Sequence, residues 1–302
     1  MQLKSILDDE IFDISCIVDF TKIIQIIDIT KGIFDILAEN TSTMIKGVYD
    51  KTEDKIYYLK PIFFESTSNI LKSILICTRI GNIIDSHILV RKLRDDLFQW
   101  LFLLSTIENN DNYFIEALEK NDINIYESKK EKVSNIVLWF KNIIHQNKYI
   151  ELRKKEYDYI KYKTSLQTLN EVDQLYKHYL SESFTNLNDL NNYVHGNGEK
   201  YVFENQFNSK RVDVFNDHLS SLESKLEDVI LCYLCTLFLI SPNLLISDDY
   251  FSLIESRQKP DDRLRTIIAP IFQDFFDIYV KLDYENLIIF LNSTNRHGMV
   301  IE

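Results

Sequence analysis

Turn-forming residues are scarce in this 302-residue chain, which has six Gly and four Pro. Together they make up about 3% of the chain, where average usage gives about 12%. That scarcity excludes collagen-like, Gly-rich and Pro-rich disordered classes, and it leaves little punctuation to break long helices. Cysteine is sparse too: Cys16, Cys77, Cys232 and Cys235 have neither the density nor the spacing of a secreted disulfide scaffold, and a reducing cytosol suits them. The first residues, MQLKSILDDEIFDISC, lack the basic start and apolar run of an export signal. No uninterrupted apolar run reaches the ~20 residues of a membrane span. The most apolar window, Val229 to Ile246, is cut by Ser241-Pro242-Asn243 and reads as a buried core helix. Also missing are G-x-G-x-x-G, G-x-x-x-x-G-K-[ST] and G-x-S-x-G, so dinucleotide, P-loop and serine-hydrolase chemistry have no support.

What the chain does have is 45% hydrophobic and 13% aromatic residues, enough for a sizeable core. Apolar residues recur at helical spacing almost throughout, so the expected fold is all-α, a multi-helix bundle with long helices. The clearest helix is 219–240, where Leu219, Leu222, Leu226, Val229, Tyr233 and Leu237 form one stripe and Pro242 stops it. Further helices are expected over 3–29, 32–46, 62–107 with a break near Gly81, 111–120, 129–150, 151–181, 186–195, 260–281 and 284–294. One segment, 47–60, suits a short β-hairpin. The absence of a Pro/Gly/Ser linker favours one helical body over 1–302; a subdivision into 1–125 and 126–302 is the alternative.

The net charge of −12 argues against a surface that binds nucleic acid over most of its area. Only 127–163 is basic, with 10 Lys and Arg against 5 Asp and Glu. There Arg153, Lys154, Lys155 and their neighbours are interleaved with Trp139, Phe140, Tyr149, Tyr157, Tyr159 and Tyr162. Cations hold phosphates and aromatics stack on bases, so RNA is one expected partner; a solvated amphipathic helix pair with inward aromatics is the other reading.

Two constellations carry candidate chemistry. In Arg91-Lys92-Leu93-Arg94-Asp95-Asp96, Arg94 shares a helical stripe with His87, Val90, Leu97 and Leu101. Several of these charges must therefore point inward and find partners, the nearest being Arg91 with Asp95 and Lys92 with Asp96 at i,i+4. The group is either a structural ion-pair network or the lining of a polar cleft. In Asn191-Asn192-Tyr193-Val194-His195-Gly196-Asn197-Gly198, two glycines end a short helix and leave His195 at its terminus. An imidazole is favoured there by the helix dipole, and it is also the side chain best suited to move protons near neutral pH. Cys232-x-x-Cys235 lies mid-helix without a second ligand pair, so it reads as two core thiols and not as a zinc site; neither metal nor cofactor is expected.

An apolar helix with R-K-x-R-D-D, followed about 100 residues on by N-N-Y-V-H-G-N-G and an apolar helix ending in S-P, resembles uncharacterised bacterial helical proteins of HEPN-superfamily type. The resemblance rests on Arg91, Arg94, Asp95, Asp96, Asn192, His195, Gly196 and Gly198. It implies a helical bundle, often dimeric, acting as an RNA-cleaving toxin or phage-defence effector, with Arg94, Asp95 and His195 as a composite catalytic site and Arg91, Asp96 and Asn192 in support. Ribonuclease members of that superfamily carry Arg and His separated by four to six residues on one helix, and no Arg stands so before His195. Arg211 and His218 do show that spacing, as a weaker alternative pair, with Val212 where the family has a polar residue. The competing expectation is a non-catalytic helical module that binds a protein or RNA.

Overall fold

The structure is a computed structural model that describes residues 14, 18–49, 60–120, 159–195, 212–247, 250, 253, 256, 266–280, 285–295 and 298–302, without the side chains of 41–49, 60–62, 106–120 and 195. The described residues form an all-α bundle. In chain order the helices are α1 (Thr21–Tyr49), α2 (Lys60–Arg79), α3 (Ile83–Lys120), α4 (Tyr159–Leu166), α5 (Asn170–Gln174), α6 (Ser181–His195), α7 (Val212–Ile240), α8 (Pro270–Tyr279) and α9 (Glu285–Thr294). A π turn, Leu175–Tyr179, continues α5, and a 3-10 turn, Pro242–Leu245, follows α7. None of these helices is long and apolar enough to cross a membrane.

The centre is α3. It packs along α2, α7, α4 and α6, while α1 lies across α2 and α7. The expected stripe explains why: Val90, Arg94, Leu97 and Leu101 are all at most 1% exposed. The second half of α7 is buried on every side from Val229 to Ile240, as its uniformly apolar composition demands. Cys232 and Cys235 are fully buried there, and burial pushes both thiols up. The α2–α3 turn contains Gly81 at φ +79°, a conformation that side-chain-bearing residues avoid.

Several boundaries differ from expectation. Gly47-Val48-Tyr49 continue α1, so the first strand of the expected 47–60 hairpin is helical; 50–59 lie outside the described residues. Isolated β-bridges pair Ile246 with Ile268 and Ile267 with Val300. Of the helix expected over 3–29, residues 21–29 belong to α1, at whose start the Asp19 carboxylate accepts the Thr21 N–H at 2.9 Å, while 3–13 and 15–17 lie outside the described residues. Gly32 does not break α1. Instead it admits α8, since a Cβ there would stand 2.9 Å from Ile271 Cδ1. The expected helix over 151–181 breaks after Leu166 and again at Leu180, and α6 begins five residues earlier than expected, at Ser181.

Candidate functional site

Arg94 brings the two sequence constellations together. With its side chain 1% exposed, it donates from Nε and Nη2 to Asp95 Oδ1 at 2.9 and 2.7 Å. Nη1 donates to the Leu187 carbonyl at 2.6 Å, and Nη2 to Asn191 Oδ1 at 3.2 Å. The guanidinium also lies over the Tyr159 ring, 3.9 Å from its centroid. One buried cation thus ties α3 to α6 and α4, and a planar fork on an aromatic face is the arrangement for which Arg is suited. The helices run antiparallel: Arg94 meets Leu187 and Asn191, while His87, two turns earlier on α3, stacks on Tyr193 at 4.0 Å between ring centroids. His195 closes α6 one helical turn, about 6 Å, beyond Asn191.

Around Arg94 the expected pairs form. Arg91 faces Asp95 at 3.8 Å and Lys92 pairs with Asp96 at 2.8 Å. Asp95 and Arg91 remain 34% and 26% exposed, so the outer edge of this cluster meets solvent while Arg94 does not. Burial raises the Asp96 carboxyl above the usual range despite Lys92 beside it.

A second buried cation, which the sequence reading passed over, holds the same turn of α6 from α7. Lys225 Nζ donates to Asp189 Oδ2 at 2.8 Å, to the Tyr193 hydroxyl at 3.2 Å and to Ser221 Oγ at 3.2 Å. Asp189 in turn accepts from Asn192 Nδ2 at 2.9 Å. The signal was present: Lys225 stands at i+3 from Leu222 and i−4 from Val229, on the apolar stripe. Lys225 is 7% exposed and Asp189 31%, so losing either partner is not equivalent. Asp189→Ala strands a buried ammonium and is expected to cost about 3 kcal/mol. Lys225→Met leaves a carboxylate that water still reaches and is expected to cost less than half of that in urea denaturation.

One turn further along α7, Asp228 is nearly buried and accepts from Asn186 Nδ2 at 3.1 Å. Burial raises its carboxyl above the ordinary 3.8, opposed by the Ser183 and Asn186 hydrogen bonds. A carboxyl raised in the folded state stabilises most below its unfolded pKa, and that contribution is lost as pH rises through the folded value. Wild type is therefore expected to lose stability relative to Asp228→Asn as pH rises from about 4 through the folded value, read as diverging urea midpoints.

Of the remaining candidates, His218 is half-buried in the second turn of α7. Its proposed companion Arg211 lies outside the described residues, as do Arg153, Lys154, Lys155 and the rest of the basic segment up to residue 158. From that segment Tyr159 and Tyr162 are buried, and the half-buried Lys163 ammonium sits over Phe184, 3.8 Å from the ring centroid. Among the described residues no group of three or more His, Cys, Asp or Glu is placed to hold a metal. Set beside family models, curated proteins and solved structures, the chain matches none of them.

Proposed function

We propose that this chain is a HEPN-like helical protein that cleaves RNA without a metal at the edge shared by α3 and α6. The observation that supports this reading is the reach of Arg94 to Leu187 and Asn191, since Asn191 stands one turn before His195 on α6. His195 takes the proton of a ribose 2′-hydroxyl, whose oxygen attacks phosphorus; the P–O5′ bond breaks, and the departing oxygen is protonated by water. Asp95, on the exposed edge, holds the Arg94 guanidinium in place. Arg94, with its donors engaged inside the protein, is a positioning residue, and Arg91 is the accessible cation that meets phosphate charge. The basic segment, with Arg153, Lys154 and Lys155, gathers the RNA.

Purified wild type incubated with total RNA in excess chelator is expected to degrade it. His195→Ala is expected to lose at least 100-fold of that rate with an unchanged circular dichroism spectrum. Equal degradation by both proteins, or intact RNA with both, overturns the reading.

A second reading, a non-catalytic module for a protein or RNA partner, draws on the same cation: each of the Arg94 contacts is made within the chain. Intact RNA retarded by wild type in a gel-shift assay favours it.

A further inference from the structure

One turn after Tyr159 on α4, Lys163 rests its ammonium on aromatic rings. Its Nζ lies 3.8 Å from the ring centroid of Phe184 on α6 and 5.9 Å from that of Tyr176 in the π turn. Both rings are fixed. Phe184 is 3% exposed and meets Tyr176 edge-on, 4.4 Å between centroids. The Tyr176 hydroxyl donates to Thr236 Oγ1 at 3.0 Å, since the hydrogen of Thr236 goes to the Cys232 carbonyl at 2.6 Å. The turn that presents Tyr176 closes with the Leu180 N–H on the Leu175 carbonyl at 3.1 Å, a five-residue ring that is rare in helices and recurs at functional sites.

Lys22, Lys92 and Lys177 are exposed and lie 3.1, 2.8 and 2.6 Å from Glu227, Asp96 and Asp173, and the buried Lys225 has Asp189. Among the described lysines, Lys163 alone is drawn partly out of water with no carboxylate paired to it. Such an ammonium loses hydration and gains only ring faces, which attract it less than a carboxylate does. Burial accordingly holds it below the ordinary 10.5, opposed by Cys232 on α7. The other titratable groups around it give no counter-charge: burial pushes Cys232, Tyr176 and, on α4 itself, Tyr159 up, so all three stay neutral. Asp228, one turn before Cys232, is bonded to Asn186, and on α3 Arg94 and Asp95 pair with each other. A lysine desolvated in this way, yet only half-buried, is a nucleophile within reach of small solutes.

We propose that Lys163 is a covalent modification site that takes a small acyl group from an acyl phosphate. The unprotonated Nζ attacks the carbonyl carbon, the bond from that carbon to the bridging oxygen breaks, and phosphate leaves with the electron pair. The nitrogen gives one proton to the departing phosphate through water. The product is a neutral amide, so no cation is held away from water and the acyl carbons gain two rings as neighbours. The chain also loses one positive charge at the end of its basic segment, 127–163.

The test treats the native full-length chain with acetyl phosphate near pH 7.5, stopped while few chains are modified, and counts acetylation at each lysine by peptide mass spectrometry. Lys163 is expected to react at least about threefold faster than Lys92 or Lys177, with a rate that rises at lower pH than theirs. A smaller ratio overturns the inference. In urea-unfolded chain the advantage is expected to vanish. An advantage that survives unfolding belongs to the local sequence, and one without the earlier rise in pH belongs to access alone; either overturns the inference.

Discussion

Replacing Arg94 with Ala is expected to lower the free energy of unfolding by about 3–5 kcal/mol, read as a drop in urea midpoint. Arg94 heads the largest fully buried side chains, so truncation leaves a void and strips a hydrogen bond from the Leu187 carbonyl and from Asn191 Oδ1. Asp95 contributes less to the loss, because its half-exposed carboxylate regains water. Arg94→Lys is not a rescue. An ammonium is a point donor that cannot serve Asp95, Leu187 and Asn191 at once and stack on Tyr159, so Lys is expected to recover under half of the loss. A variant within 1 kcal/mol of wild type would show that the fork does not hold α3 to α6.

Phe98→Ala is expected to cost a comparable 3–5 kcal/mol. Phe98 is 0% exposed and meets Tyr159 and Phe184 edge-on, at 5.0 and 5.9 Å between centroids. Its removal therefore loosens α3 from α4 and α6 together. Phe98 lies one turn past Arg94, and both contact Tyr159. Residues that share a partner do not add, so the double variant is expected to lose at least 0.5 kcal/mol less than the sum of the singles. Strict additivity would mean that Tyr159 does not couple them.

The parts of the bundle legible in the sequence were those where periodicity is unambiguous. The 219–240 stripe and the break at Gly81 follow from helical spacing and from a residue free to take positive φ. The inward Arg94 was legible for the same reason, since a charge on an apolar stripe must enter the core with its partners. Lys225 obeys the same rule, but with Glu223, Glu227 and Asp228 around it, it reads as one more charge of a solvated face. Gly32 shows the limit of local punctuation: a glycine inside a helix signals either a break or a close neighbour, and only the packing of Ile271 decides between them. At Gly47-Val48-Tyr49 local β-preference loses to the continuation of α1. The break after Leu166 carries no Gly or Pro at all. It is imposed by tertiary packing, with Tyr159, Tyr162 and Leu166 turned to the core on one side and Tyr176 reaching Thr236 on the other. For the candidate site, each helix could be read alone, but their antiparallel meeting joins residues 93 apart, Arg94 and Leu187, which no local pattern encodes.

The two sealed thiols of α7 make the molecule its own clock. Cys232 and Cys235 are wholly enclosed, whereas Cys77 at the end of α2 is partly accessible. A thiol-specific reagent therefore meets Cys77 in the native state and reaches the other two only when the centre of the bundle opens. Alkylation at Cys232 and Cys235 counts those openings in time, with Cys77 marking within the same chain that reagent was present.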